Sequence, residues 1–85
     1  MPYIKQEQRE QFEKSIQFLG TKIEDCGQLN YVFTRLANQY LKNKGTSYSV
    51  LNEIKGVFSC ASEEFSRRKI NPYEDKKIHE NGDVD

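Results

Sequence analysis

The fold is decided by residues 29–65, which read LNYVFTRLANQYLKNKGTSYSVLNEIKGVFSCASEEF. In this stretch, two runs of apolar residues recur three and four positions apart, the period of an α-helix with one apolar face. Between the runs, Gly45-Thr46-Ser47 has the residue types of a helix stop, a turn and an N-cap. The stretch therefore predicts two helices, here called helix 2 and helix 3, joined by a tight turn into an antiparallel hairpin.

A third amphipathic stretch precedes this hairpin, between residues 4 and 23. Its apolar residues form a narrow seam: Phe12, Ile16, Leu19 and Ile23. A narrow seam is typical of a helix on the outside of a bundle, whereas the wider apolar faces of the hairpin helices are typical of central ones. We therefore predict an N-terminal helix that covers the hairpin.

Helix 3 is expected to end near Asn71-Pro72, because proline disfavours α geometry in the residue before it. The helix is thus predicted to run from about Tyr48 to Lys69 and to be followed by a tail with at most one short helical turn. The resulting fold prediction is an all-α, three-helix domain over residues 1–70, made of a long antiparallel hairpin and an N-terminal helix. Residues 71–85 are predicted to be an extended C-terminal tail that docks on the body or on a neighbouring subunit.

Charge is unevenly distributed along a chain whose net charge is zero. Residues 1–70 carry 11 basic and 8 acidic side chains, whereas residues 71–85 carry 2 and 5. A tail of opposite sign to the body can bind its own body or that of a neighbour. Because an 85-residue chain buries only a small core, and small domains often compensate by assembling, the expected state is a homo-oligomer.

No cofactor and no metal are predicted. Cys26 and Cys60 form no CxxC pair and have only His79 as a further soft ligand. The first residues lack the apolar core of a signal peptide, and no apolar run approaches the roughly 18 to 20 residues that span a bilayer. We therefore expect a cytoplasmic protein without membrane association, in which both cysteines are reduced and act as small buried hydrophobes.

The sequence shows no pattern of an enzyme active site. No P-loop, GxGxxG, HExxH or zinc spacing occurs, and His79 has no partner at triad spacing. The remaining enzymatic alternative is a hydrolase with scattered carboxylates such as Glu53, Glu63 and Glu64, although these positions are typical of solvated helix faces. Nucleic acid is not an expected partner, because zero net charge removes the nonspecific attraction and no helix carries a continuous basic stripe.

Two surface regions have the residue types of a ligand site. On the outward face of helix 2, Tyr31 and Arg35 offer a ring that can stack on a base and a guanidinium that can bind a phosphate. The second region surrounds the start of the tail and contains Arg67, Arg68, Tyr73, Lys76 and Lys77. The alternative for the helix 2 pair is an ordinary solvated face.

The second region also has a structural alternative. Arg68 lies one turn beyond Phe65 at the edge of the apolar face of helix 3, so its guanidinium needs a carboxylate partner. The carboxylates of Glu74 and Asp75 in the tail have Arg67 and Arg68 as their nearest cations. In the structural alternative, Tyr73 and Ile78 hold the tail on the body, and the basic side chains of this region form salt bridges instead of binding a ligand.

Three segments of the sequence form a distinctive pattern: GQLNYVFTRL from residue 27, SYSVLNEIKGV from residue 47 and RRKINPYEDKKIHENGDV from residue 67. Together they resemble a family of small hypothetical proteins found in phage and prokaryotic genomes, and the tail motif P-Y-E-D-x-K-I-x-E-N-G-D-V is the most specific part. The resemblance implies a phage or prokaryotic origin and supplies no catalytic or binding residues.

The expected function is a non-enzymatic phage anti-defence protein that binds and sequesters a small nucleotide signalling molecule. A small all-helical oligomer is similar in outline to phage anti-defence sponges, and the Tyr and Arg side chains have the chemistry to stack on bases and hold phosphates. The alternative is a protein-interaction module, an inhibitor or adaptor that binds a host or phage protein through the Tyr31 and Arg35 face or through the tail.

Overall fold

The structure is a computed structural model in which residues 3–85 are described. Its elements are α1 Gln6–Lys22, α2 Cys26–Lys44, α3 Tyr48–Phe65, a π-helical segment Ser66–Ile70 and α4 Asn71–Asn81. The described residues form no strand. The predicted all-α fold is therefore confirmed, with α1, α2 and α3 at the places of the three predicted helices. None of the described helices has the length and apolar character needed to cross a membrane.

The chain divides into two compact units, Met1–Asn38 and Gln39–Asp85. The first contains α1 and most of α2, and the second contains the end of α2 followed by α3, the π segment and α4. The candidate residues Tyr31 and Arg35 thus belong to the first unit. The candidates at the start of the predicted tail all belong to the second.

In the first unit, the beginning of α2 is fixed by two side-chain hydrogen bonds. The Oδ1 atom of Asp25 accepts a hydrogen bond from the backbone N–H of Gln28 at 2.8 Å. The Oε1 atom of Gln28 in turn accepts one from the backbone N–H of Glu24 at 2.7 Å. The bond to Gln28 satisfies an N–H group that has no partner inside the helix, so Asp25 acts as the N-cap.

In the second unit, the turn between α2 and α3 has the predicted form. Gly45 has φ of 86°, a left-handed conformation that favours glycine, and its N–H donates to the carbonyl oxygen of Leu41 at 2.8 Å. Ser47 caps α3, because its Oγ accepts a hydrogen bond from the N–H of Val50 at 3.1 Å. The predicted stop and N-cap are both confirmed.

The prediction that helix 3 ends at Asn71-Pro72, and that an extended tail follows, is wrong over residues 71–81. These residues form α4, which continues directly from the π segment. Asn71 has α geometry although it precedes a proline, with φ of −61° and ψ of −46°, and its N–H donates to the carbonyl oxygen of Ser66. Pro72 lies in the first turn of α4, where proline is tolerated. The turn just before it is a π turn, in which the hydrogen bond joins residues five apart.

Neither unit buries a described side chain within the single chain. On α3, Phe58 remains 42% exposed and Phe65 61% exposed, although the period of the sequence places both on the apolar face. The faces predicted from the sequence are therefore present as surfaces and not as a core. That the tail docks on the body or on a neighbour stays a prediction.

Candidate functional site

The strongest side-chain cluster lies where α3 passes into the π segment. The Oε1 atom of Glu64 accepts a hydrogen bond from Nε of Arg68 at 2.6 Å and another from a terminal nitrogen of Arg67. One carboxylate oxygen thus holds two guanidinium groups, from the third and fourth residues after it. With Lys69, this cluster carries two net positive charges over six residues.

The two arginines lower the pKa of the Glu64 carboxyl. The hydrogen bond from Arg68 is the largest cause and the one from Arg67 is second. The Glu64 side chain is 20% exposed, whereas those of Arg67 and Arg68 are 61% and 54% exposed. The carboxylate is therefore the covered member of the cluster, and both guanidinium groups remain open to a ligand.

This pairing corrects one sequence-based expectation and confirms another. Arg68 has the carboxylate partner that its position required, but the partner is Glu64 on the same helix. The salt bridges from Arg67 and Arg68 to Glu74 and Asp75 are not formed in the structure. The reason is local geometry, since side chains three and four positions apart on a helix are direct neighbours.

Further along, α4 carries the other three candidates of this region. The Nζ atom of Lys77 lies 5.5 Å from the ring centroid of Tyr73, within the range of a cation–π contact, and also lies 3.2 Å from Oε2 of Glu80. Tyr73 is 58% exposed, and Lys76 is exposed on the same helix. The structure thus pairs Tyr73 with Lys77 in one contact and leaves Lys76 on the surface of α4.

In the first unit, Tyr31 and Arg35 lie one helical turn apart on α2. Tyr31 is 65% exposed and forms part of a groove of about 460 Å³ between the end of α1 and the start of α2. The apolar part of the lining comes from Leu19, Ile23 and Val32, and Arg35 does not line the groove. The groove is therefore lined by Tyr31, one of the two site residues predicted on this face.

Two features of the structure were not predicted from the sequence, the place of Glu64 in the arginine cluster and the contact between Tyr40 and Glu53. The Tyr40 hydroxyl donates a hydrogen bond to Oε2 of Glu53 at 3.2 Å, which raises the pKa of Tyr40 by that bond and by the charge of the carboxylate. The spacing of Glu64 relative to Arg67 was a signal for the first contact. No local signal marks the second, because it joins residues thirteen positions apart.

The cysteines do not have the predicted environment. Cys26 and Cys60 are both exposed free thiols, so the prediction that they are buried is wrong. Cys26 is the first residue of α2 and Cys60 lies on α3, at positions where neither unit provides cover. Within residues 3–85, no group of three or more His, Cys, Asp or Glu side chains is arranged to hold a metal ion.

Comparison with known protein families assigns nearly the whole chain to a family. The family model described as "Domain of unknown function (DUF6899)" matches residues 1–84, nearly the whole chain. No curated protein and no solved structure matches this chain.

Proposed function

This chain belongs to the DUF6899 family, and we propose that it is a non-enzymatic phage anti-defence protein that binds and sequesters a small nucleotide signalling molecule. The observation that carries the proposal is the pair of guanidinium groups held side by side on Glu64. The phage setting is supported by the resemblance of the sequence to small phage and prokaryotic proteins.

The arginine pair has the chemistry of a phosphate site. A guanidinium has five N–H donors, and the bonds to Glu64 use a single nitrogen of each arginine. Most of the donors therefore remain for the oxygens of a phosphate, which an arginine fork binds in a bidentate way. The carboxylate between them fixes both guanidinium groups in place before a ligand arrives, which lowers the ordering cost of binding.

The aromatic component of the proposed site is Tyr73, in the same unit. Its exposed ring offers a face for stacking a base, and Lys77 already places a cation beside that ring. We propose that the functional protein is a homo-oligomer, which the lack of a buried side chain in either unit supports. A second subunit would enclose a ligand that the single chain leaves exposed.

Calorimetry and thermal shift against cyclic dinucleotides, cyclic trinucleotides and ADP-ribose derivatives test this proposal. We expect one class to bind, and the double variant R67Q/R68Q to bind it at least about tenfold more weakly, because two charge-assisted contacts are lost. The matched control is Arg9→Gln on α1, which removes an arginine outside the site. A flat response of the wild-type protein across the panel would overturn the proposal, as would equal losses in R67Q/R68Q and the control.

A second candidate function is a protein-interaction module, favoured by the groove between α1 and α2. An apolar groove with an exposed tyrosine is typical of a surface that receives an anchoring side chain of another protein. Affinity capture from host lysate tests this candidate, with a stoichiometric partner expected for the wild-type protein and lost in Tyr31→Ala. Tyr48→Ala is the control, since Tyr48 is 81% exposed but lies in the other unit.

A further inference from the structure

The apolar side of α3 and the π segment forms one continuous stripe in the second unit. Its members are Leu51, Ile54, Phe58, Ala61, Phe65 and Ile70. We infer that this surface, the helix-3 stripe, is where two copies of the chain pair with their helices antiparallel. The inference rests on the proposed function only because that function also involves a homo-oligomer. No ligand is needed for the pairing of the two stripes.

The spacing of the stripe points to another helix as the occupant. From Leu51 to Phe65 the positions advance by three, four, three and four residues, which is the heptad pattern of helices that pack side by side with knobs in holes. A helix with this pattern is complementary to a helix that carries the same pattern. A second copy of α3 supplies such a partner.

The π segment keeps Ile70 in the stripe. In an α-helix, residue i+4 lies over residue i, whereas in a π turn residue i+5 takes that place. Ile70 is five residues after Phe65 and is the last residue of the π segment that begins directly after Phe65, so it lies over Phe65. Without the extra residue, Ile70 would point away from the stripe and Lys69 would take its place.

The stripe is exposed to a degree that a single chain does not explain. Leu51 is 46% exposed, Phe58 42%, Phe65 61% and Ile70 43%. The chain as a whole exposes 7872 Å², whereas a folded monomer of 10.0 kDa is expected to expose about 5,200 Å². A standard interface covers about 800 Å² on each partner, so the excess surface is ample for pairing with a second copy.

Charge favours the antiparallel orientation. In a parallel pair, the basic run 67–69 would face the same run in the other copy, and the acidic residues 71–85 would face each other. In an antiparallel pair, the net negative end of each chain points toward the partner's residues 39–50, which precede the stripe and contain Lys42 and Lys44 but no acidic side chain. Complementary charges of this kind set partner orientation in paired helices.

Sedimentation velocity of the full chain over a dilution series tests the inference. We expect the wild-type protein to form dimers or multiples of dimers that dissociate on dilution, and Phe58→Ala and Ile70→Ala each to raise the dissociation constant at least about tenfold. Ser59→Ala is the matched control, because it lies next to Phe58 but points about 100° away around the helix. Alanine favours the helix, so circular dichroism should show that the variants remain helical at concentrations where they assemble.

Orientation is tested by spin labels at Asn81→Cys in a chain with C26S and C60S. An antiparallel pair places the two labels at opposite ends, giving a long distance, whereas a short distance between labels would overturn the antiparallel arrangement. A wild-type protein that is monomeric at its highest soluble concentration would overturn the inference. So would dissociation constants of Phe58→Ala and Ile70→Ala equal to that of Ser59→Ala.

The two proposals fail in different ways. If no nucleotide binds while Phe58→Ala dissociates, the proposed ligand is wrong and the pairing surface stands. If a monomeric wild-type protein binds a nucleotide, the pairing surface is wrong and the ligand stands.

Discussion

The carboxylate of Glu64 accepts a hydrogen bond from Nε of Arg68 over 2.6 Å, at the point where the α-helix becomes a π-helix. With the second bond from Arg67, this contact lowers the pKa of the Glu64 carboxyl below its ordinary value. The bond therefore makes a titration of Glu64 a direct measure of whether the arginine cluster is formed.

The first prediction concerns that titration. Arg68→Gln should raise the pKa of Glu64 more than Arg67→Gln does, because the hydrogen bond from Arg68 is the larger cause of the shift. Carbon-13 NMR of the Glu64 side-chain carboxyl measures both variants. Lys69→Gln is the control, since it removes a charge from the same segment without removing a hydrogen bond to Glu64. Equal changes in all three variants would mean that general charge, and not the bonds, sets the pKa.

The same shift gives a pH dependence of stability. Because the folded-state pKa of Glu64 lies below its unfolded value, the ionised carboxylate stabilises the fold above the unfolded pKa, and this contribution is lost as pH falls through the folded pKa. The free energy of unfolding should therefore fall less steeply from neutral to acidic pH for Glu64→Gln than for the wild-type protein.

The second prediction concerns the cap of α3. Ser47→Ala removes the acceptor for the N–H of Val50 and should reduce the free energy of unfolding by about 1 kcal/mol. Ser49→Ala is the matched control, because Ser49 lies inside the first turn of the same helix and alanine is a good helix former. Thermal unfolding at one fixed protein concentration measures the difference, and equal losses for the two variants would contradict the cap.

The third prediction compares one chemical change at two glycines. Gly45→Ala should destabilise the fold by about 1 kcal/mol, because alanine is disfavoured at φ of 86°. Gly56→Ala should instead stabilise it by about 0.5 to 1 kcal/mol, because Gly56 lies inside α3. An added Cβ meets nothing within 4 Å at either position, so the opposite signs report backbone conformation alone. Chemical denaturation measures both, and a shared sign would contradict the turn.

The fourth prediction concerns Tyr40 and Glu53. The hydrogen bond from the phenol to the carboxylate raises the pKa of Tyr40, so Glu53→Gln should lower that pKa toward 10.0, its ordinary value. Glu63→Gln on the same helix should leave it unchanged. The measurement is an alkaline titration followed by NMR of carbon-13-labelled tyrosine. A Tyr40 pKa that does not respond to Glu53→Gln would show that α2 and α3 do not meet there in solution.

The raised pKa of Tyr40 also predicts how the stability of the fold changes at alkaline pH. Since the folded-state pKa of Tyr40 lies above its unfolded value, the neutral phenol contributes stability below the unfolded pKa, and this contribution disappears as pH rises through the folded pKa. The free energy of unfolding should therefore fall less between neutral and alkaline pH for the Tyr40→Phe variant than for the wild-type protein.

Some of this structure could be predicted from sequence because it depends on residues close in the chain. The turn after α2 was predictable, since a left-handed residue calls for glycine and an exposed N–H at a helix start calls for a side-chain acceptor such as Ser47. The carboxylate partner of Arg68 was equally local, but the opposite charge of residues 71–85 drew the prediction to Glu74 and Asp75 instead of Glu64.

Other features could not be predicted in this way. The rule that placed the helix end at Asn71 disfavours α geometry before a proline, but Asn71 keeps that geometry directly after a π turn, which the rule does not anticipate. Periodicity also identifies which side of a helix is apolar without identifying what covers it. The helices α2 and α3 were therefore placed correctly, whereas the burial expected for Cys60 was wrong.

The π segment has a consequence for the comparison of related sequences. Because the segment contains one residue more than an α-helix needs to make the same turn, a relative that lacks one residue between positions 65 and 71 would remain helical but present a different side after that point. An alignment gap there would mark a change of surface rather than a change of length. Relatives should therefore be aligned by the phase of their apolar residues on each side of the segment, with the one-residue difference placed inside it.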